Sequence, residues 1–281
     1  MKHPLNIPSM DFTFTEKVIQ TFIRHEVQYN GFKGGLISLS GGLDSSLASV
    51  LAHTALNGNI ALLYMPYGKN PSAFKDVSTL AEMIDTPLEV FDIQAITDQI
   101  CTERSIRDPK RKGNIMARLR MNILFDQSAR DQLMVIGGSN KTELMIGYST
   151  WYGDSAAGIM PLGDLYKTQV KGLAQHCHLP ENIISKPPSA ELWEGQTDED
   201  EIGLPYEKLD AILFYWLDQR HSPQQLVQMG FDLEAVEKVV KITRKALYKQ
   251  KKPTICKVSD RTIGIDYRLC KETMQLGSLD L

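Results

Sequence analysis

The sequence predicts an α/β protein: a doubly wound, mostly parallel sheet with helices on both faces, followed by a helical C-terminal subregion. Three observations carry this. Four short apolar runs alternate with stretches of helical period as far as Ile136, and strands that alternate with helices imply a parallel sheet. The first of these runs ends in a Ser-Gly-Gly turn that opens directly into a helix. After Ile136 no strong strand signal follows, and helical periodicity and polar or proline-rich stretches take over. The expected organisation is one domain over residues 1–281, with an α/β core over about 11–200 and a helical subregion and tail over about 201–281.

The elements are justified in order. From about Phe14 to Gln28 the chain has helical period, with Phe14, Val18 and Phe22 on one face. Leu36-Ile37-Ser38-Leu39 is the first strand, and the helix after its turn carries Leu47, Val50 and Leu51 on one face. Ile60 to Met65 is a second buried strand, ended by Pro66. Ala73 to Ile84 reads as a helix and Leu88 to Phe91 as a third strand. Asn114 to Arg130 is a helix with Ile115, Leu119, Ile123 and Ala129 in phase; Leu133 to Ile136 is a fourth strand, ended by Gly137-Gly138. Lys186-Pro187-Pro188-Ser189 excludes helix and central strand. The polar, acidic stretch Glu194 to Gly203 predicts a surface loop, and Leu209 to Leu217 and Phe231 to Leu247 predict helices. In the second of these Leu233, Val236, Val240 and Leu247 keep the period, and Asp232 is placed to cap its start.

Bulk properties narrow the function. A chain of 281 residues with a sizeable apolar fraction builds a substantial core. A net charge of −3 provides no global field for nucleic acid. The four cysteines, Cys101, Cys177, Cys256 and Cys270, are widely spaced and fit no zinc pattern, which predicts reduced thiols in a cytoplasmic protein. No apolar run is long enough to cross a membrane, and the N-terminus lacks the parts of a signal peptide.

The chemistry begins at Ser38-Leu39-Ser40-Gly41-Gly42-Leu43-Asp44-Ser45-Ser46. Adjacent glycines let the backbone turn tightly and approach a ligand, while hydroxyls and unpaired N–H groups at a helix start make an anion site. Gly-x-x-x-x-Gly-Lys-Ser/Thr is absent, so this is not the common P-loop. Ligands of such folds sit at the carboxyl ends of strands, where this loop, Tyr64 to Tyr67 and Gly137 to Glu143 all fall.

The loop resembles the Ser-Gly-Gly-x-Asp-Ser pyrophosphate grip of the ATP pyrophosphatase superfamily, whose enzymes cleave ATP between the α- and β-phosphates. Further motifs sharpen the resemblance. Ser139-Asn140-Lys141-Thr142-Glu143, Tyr152-Gly153-Asp154 and Pro161-Leu162-Gly163-Asp164-Leu165-Tyr166-Lys167 follow in order. Lys112-Gly113-Asn114 with Ala117-Arg118-Leu119-Arg120-Met121 precedes them, and Pro188-Ser189-Ala190-Glu191-Leu192 with Gly195-Gln196-Thr197-Asp198-Glu199 comes last. Together they are similar to the NAD synthetase family, in its ammonia-dependent form, since the anion loop begins too near the N-terminus to leave room for a preceding glutaminase domain.

That resemblance implies an adenine nucleotide alpha hydrolase-like, Rossmann-like fold. It also implies adenylation of deamido-NAD by ATP, then amidation by ammonia to give NAD, AMP and pyrophosphate. Ser38, Leu39, Ser40, Gly41, Gly42, Leu43, Asp44 and Ser45 would hold ATP with Gly138, Lys167 and Ser189. Asp44 and Glu143 would bind magnesium, and with Lys167 they form the implied catalytic set. Arg118, Trp151, Asp154, Tyr248 and Lys249 would contact deamido-NAD. The family is typically a homodimer. The physics agrees: an anionic carboxylate must be brought to an anionic triphosphate, which needs cations and hard-oxygen metal ligands.

From the residues alone, Glu143 also fits a helix cap three residues after Asn140. Lys167 reads as an exposed helix lysine, and Arg118 and Arg120 cannot share a face at i, i+2. Four positions depart from the family: Gly138 where a threonine is usual, Trp151 for lysine, Gly158 for aspartate and Tyr248 for histidine. A tRNA-modifying adenylating ligase and a nucleotide-binding regulator that lost turnover are the alternatives. For the former, the basic residues Arg104, Arg107, Lys110, Arg111 and Lys112 are expected to form a solvated loop rather than a nucleic-acid contact.

Overall fold

A computed structural model describes residues 6–189, 195–251, 253–263 and 265–266. Strand β1 (Gly34–Leu39) bonds on one side to β2 (Ile60–Tyr64) and on the other to β4 (Leu133–Val135); β3 (Leu88–Val90) extends the sheet beyond β2. Every pairing is parallel, with Leu36 opposite Ala61 on one neighbour and Val135 on the other. Strands β1, β2 and β4 are covered on both faces over most of their length and read as apolar runs, whereas β3 is an edge strand, Leu-Glu-Val, with Glu89 and Val90 exposed. An isolated parallel bridge, Ile136 to Ile159, prolongs the β4 edge.

Alternate side chains of the strands feed two cores. Ile37, Leu39 and Leu62 face one side, with α1 (Phe12–Tyr29), α2 (Leu43–Ala55), α3 (Pro71–Met83), α7 (Lys167–His176) and α8 (Glu181–Ile184). Leu36 and Leu63 face the other, where Ile93, just before α4 (Gln94–Glu103), and Met116 and Leu124 of α5 (Pro109–Asp131) close over them. The doubly wound layout is therefore present in side-chain terms. Helix α6 (Lys141–Ile146) leaves the carboxyl end of β4.

The C-terminal helices are α9 (Asp198–Ile202), α10 (Tyr206–Leu213), α11 (Pro223–Met229) and α12 (Leu233–Ala246), with a π-helical turn Phe214–Asp218 continuing α10. Ile202, Leu209, Ile212, Leu226, Val236 and Val239 form their apolar cluster, which also takes in Ile146 of α6 and Tyr166. Among the described residues no helix is long and apolar enough to cross a membrane.

Several expectations are corrected. On α1 the core face is Ile19, Ile23 and Val27; the Phe14, Val18, Phe22 stripe faces outward, with Phe14 67 % exposed. Both stripes have helical spacing, and only the partners α2 and α7 select between them. The acidic stretch expected as a surface loop holds α9, capped by Thr197 and ended by Gly203 at φ +70°, with Asp198 and Ile202 buried. Residues 190–194 lie outside the described part. Helix α5 starts earlier than read, at an Asp108 cap, so Lys110, Arg111 and Lys112 belong to its first turns rather than to a loop. In α12 Asp232 does cap, its carboxylate accepting from Ala235 N at 2.9 Å, but Leu233 and Leu247 are exposed while Val236 and Val240 pack inside.

Close approach at the start of β1 yields a stability prediction. A Cβ on Gly34 would lie 2.3 Å from the Asn59 carbonyl oxygen, which is backbone and cannot swing away. Gly34→Ala should lower unfolding free energy by about 1–3 kcal/mol in urea denaturation; an unchanged midpoint would show that this end of the sheet is not tightly packed.

Candidate active site

The anion loop is built by the break from strand to helix. Gly41 turns the chain at φ +83°, a region that glycine enters without a Cβ penalty. Ser40 N donates to Ser45 Oγ at 3.2 Å, Gly42 N donates to Ser40 Oγ at 3.2 Å, and Ser46 Oγ donates to the Gly42 carbonyl at 2.8 Å. The two hydroxyls of Ser40 and Ser45 are 3.0 Å apart. The amides of Leu43, Asp44 and Ser45 open α2, where no carbonyl lies one turn earlier to receive them, and the helix dipole adds positive potential there. Gly138 backs onto this turn: a Cβ at that position would sit 3.2 Å from Ser45 N. The glycine that stands in place of the usual threonine thus leaves room at an amide an anion would use.

Three charged groups from three elements converge beside the loop. The Lys167 ammonium, at the start of α7 and 7 % exposed, donates to Asp44 on α2 and lies 3.3 Å from Glu143 Oε1 on α6. The other Asp44 oxygen accepts from Asn140 Nδ2 at 2.8 Å. Asn140 also caps α6, its Oδ1 accepting from Glu143 N at 3.0 Å, while Glu143 Oε2 accepts from Asn140 N at 3.5 Å. The capping reading of Glu143 is therefore borne out, and the same carboxylate also lies against the Lys167 ammonium. Lys167 is the reverse of an exposed helix lysine. Burial pushes the Glu143 carboxyl up, with Lys167 opposing and Asp44 and Asp198 adding to the rise. Lys167 is held above its ordinary value: burial opposes its charge, but the Asp44 and Glu143 carboxylates outweigh it.

Residues the sequence did not single out support this cluster. Asp210 on α10 is fully buried. It accepts from Thr142 Oγ1 at 2.6 Å, from Thr168 N at 2.9 Å and from Thr168 Oγ1 at 2.8 Å. Thr142 Oγ1 in turn accepts from Lys167 N at 3.0 Å, so Asp210 joins α6, α7 and α10 behind Lys167. Tyr206 lies under the Lys167 ammonium, 5.5 Å from ring centre, and its hydroxyl donates to Asp198 Oδ2 at 3.1 Å. No local pattern marks Asp210 as special; Asn140 stood inside a matched motif and could have been chosen.

The other expected contacts lie on α5, on the segment after α6, after α8 and just beyond α12. Arg118 is exposed and Nε donates to the Trp151 carbonyl at 3.2 Å. Arg120 points elsewhere, its Nε donating to the Met65 carbonyl at the end of β2 at 2.9 Å. Trp151 stacks on Tyr152 with ring centres 4.7 Å apart and meets Tyr248 edge to face at 5.2 Å. Two departures from the family, Trp151 and Tyr248, are thus in contact with each other. Tyr152 holds a left-handed backbone at φ +57°. Asp154 Oδ1 accepts from Thr150 N at 2.7 Å, and Lys249 Nζ donates to the Gly147 and Ser149 carbonyls at 2.7 and 2.6 Å. At Gly158 a Cβ would lie 2.3 Å from Met134 Sδ and 3.1 Å from the Val135 carbonyl oxygen, so the usual aspartate would require the Met134 side chain to move. Ser189 is half-buried, and the adjoining Pro188 carbonyl accepts from Asp198 N at 2.9 Å. Lys112 donates to Tyr67 and lies 3.1 Å from Asp98, so the end of the basic stretch is paired within the chain. Among the described residues no group of three or more His, Cys, Asp or Glu side chains is arranged to hold a metal ion.

With this geometry in hand, comparison with known proteins is specific. The NAD synthase family model matches residues 15–253. The NH(3)-dependent NAD(+) synthetase of Chlorobium phaeobacteroides is 39 % identical over 269 residues, covering 95 % of this chain and 97 % of that protein. Two solved structures are alike at 30 % identity. An NMN synthetase from Francisella tularensis has a TM-score of 0.79 over 88 % of this chain and 99 % of its own. An NH3-dependent NAD synthetase from Campylobacter jejuni has a TM-score of 0.77 over 89 % and 100 %.

The Asp210 support can be tested by pH. Burial pushes its carboxyl up to about 6, against the pull of Thr142 and Thr168. The folded chain then holds that proton more tightly than the unfolded one. The stabilisation is complete below the ordinary value of 3.8 and is lost as pH rises through about 6. Asp210→Asn should remove this fall from a stability-against-pH series. It should also destabilise the neutral-pH protein by about 1–3 kcal/mol, because the amide has one acceptor oxygen where the carboxylate has two, so its NH2 must face either Thr142 Oγ1 or the two Thr168 donors. An identical slope in both proteins would rule the assignment out.

Proposed function

The chain belongs to the NAD synthase family, and on that premise we propose that it is an ammonia-dependent NAD synthetase, a ligase that forms a carbon–nitrogen bond. The observation that carries the reading is Lys167 lying between Asp44 and Glu143 beside a loop of open amides. In the first step the nicotinate carboxylate of deamido-NAD attacks the α-phosphorus of ATP and pyrophosphate leaves. In the second, ammonia adds to the acyl adenylate, AMP leaves, and the protons of the nitrogen pass to solvent. No protein nucleophile is required, and the work of the chain is positioning and electrostatic.

The loop from Ser38 to Ser45 receives the phosphates on its amides and hydroxyls, with the Gly138 backbone and Ser189 at its borders. Lys167 supplies a positive charge to oxygens that gain negative charge as pyrophosphate departs. Asp44 and Glu143 suit a magnesium ion: they are hard-oxygen donors close enough to share one ammonium. Two carboxylates with phosphate oxygens and water are the usual magnesium set. When bound, that ion screens the repulsion between carboxylate and triphosphate. Arg118, Trp151 and Tyr248 form the deamido-NAD side, with Asp154 and Lys249 fixing the backbone that presents them. The α/β core and the C-terminal helices act as one domain, in a cytoplasmic homodimer. The Phe14, Val18, Phe22 stripe, exposed on a single chain, supports the dimer; a monomer in sedimentation velocity would remove it.

A second reading keeps the chemistry and shortens the acceptor. The Francisella relative is an NMN synthetase, and the aromatic pair Trp151–Tyr248 stands where the resemblance implied lysine and histidine. An end-point assay with ATP, magnesium and ammonium should therefore be run with deamido-NAD and with nicotinate mononucleotide. Equal NAD and AMP from the dinucleotide is the expected result; turnover confined to the mononucleotide would replace the first reading by the second.

Asp44→Ala should lower turnover by about 100-fold or more, through loss of charge placed at the phosphates. Trp151→Ala should raise KM for the dinucleotide more than KM for ATP. Normal turnover in Asp44→Ala, or an ATP-only effect in Trp151→Ala, would overturn the respective role.

A further inference from the structure

Lys186 takes no part in the mechanism above, yet it reaches the anion loop from the side of α3 and α8. Its Nζ donates to the Gly41 carbonyl at 3.3 Å and lies 3.2 Å from Asp76 Oδ2. Asp76 is a buried carboxylate on α3, and its second oxygen accepts from Asn182 Nδ2 of α8 at 2.9 Å. A connected line therefore runs from α8 through Asp76 and Lys186 to the centre of the loop.

The Gly41 carbonyl is a sensitive place to hold. In a planar trans peptide the carbonyl and the next N–H point in opposite directions. An ammonium that fixes the Gly41 carbonyl also fixes the Gly42 N–H, which donates to Ser40 Oγ at 3.2 Å. Ser40 Oγ and Ser45 Oγ are in contact, so one peptide plane governs both hydroxyls and the entry to α2. A peptide between two glycines meets little steric resistance to rotation, so its orientation needs an external hold.

We propose that Lys186 is a positioning residue for phosphate binding, holding the Gly41–Gly42 peptide plane, with Asp76 behind it, so that the loop's hydroxyls and amides face the β- and γ-phosphates of ATP. The proposal rests on the reading of this loop as the ATP pyrophosphate site. Its consequence is selective: the nucleotide side of the reaction depends on Lys186 and the dinucleotide side does not.

Binding of inorganic pyrophosphate with magnesium, measured by calorimetry, is the direct test because it needs no turnover. Lys186→Met should weaken it about tenfold or more, the loss expected of a charge-assisted hydrogen bond. Lys186→Arg should recover most of it. In steady state Lys186→Met should raise KM for ATP by a similar factor, with KM for deamido-NAD within about twofold, whatever fall in melting temperature follows from leaving the Asp76 carboxylate without its cation. Equal pyrophosphate binding by wild type and Lys186→Met would overturn the proposal and leave the loop's assignment intact. So would a lower melting temperature with an unchanged KM for ATP, which makes Lys186 a structural clip. Absence of pyrophosphate binding by the wild type would overturn the reading of the loop itself.

Discussion

Lys167 carries a full positive charge to a position almost wholly out of water, where it stays charged because Asp44 and Glu143 flank it. Removing one member of such a set leaves an uncompensated buried charge, which is far more damaging than losing a surface pair. The fold is arranged to bring these three groups together. Asp44 belongs to the turn after β1, Glu143 to the helix after β4 and Lys167 to α7, so the first two meet only because β4 pairs directly with β1. The strand order is thus a condition of the site as well as of the core.

The C-terminal helices brace this arrangement. Asp210 collects donors from Thr142 and Thr168 and so holds α6 and α7 against α10. Lys141 on α6 is paired with Asp218 just beyond α10, and Lys249 and Gln250 beyond α12 bond the carbonyls of Leu144, Met145, Gly147 and Ser149. Glu143 therefore sits on a short helix whose end is secured from outside the sheet. A six-residue helix has little stability of its own. The helical subregion supplies what the sequence of α6 lacks.

The parts of this architecture that were legible are those written locally. Strands β1, β2 and β4 announce themselves as apolar runs because both faces are largely buried, and the anion loop because Ser-Gly-Gly-Leu-Asp-Ser places turn and donors within six residues. The parts that were not legible depend on what lies across space. The choice between the Phe14 and Ile19 stripes of α1 is made by α2 and α7. Lys167 looks like any helix lysine until Asp44, 123 positions away, is brought beside it. Asp210 and Lys186 find their partners 42 to 145 positions away, and nothing adjacent to them signals the contact. Matched motifs found Lys167 and Glu143 by resemblance; they could not find supports that lie outside the motifs.

The charge balance of the cluster bears on the order in which ligands can assemble. Asp44, Glu143 and the nearby Asp198 share the Lys167 ammonium; burial is the main cause that raises the Glu143 carboxyl, and the Asp44 and Asp198 charges add to it while Lys167 opposes. A free triphosphate entering alone would add anions beside these carboxylates. On the proposed function, Asp44 and Glu143 would hold a divalent cation that comes with the triphosphate, and that cation would supply the missing positive charge, leaving Lys167 to face phosphate oxygens. The amides that open α2 are neutral donors and need no counter-charge of their own. If the proposed function holds, this charge balance favours a metal-complexed nucleotide over a free triphosphate.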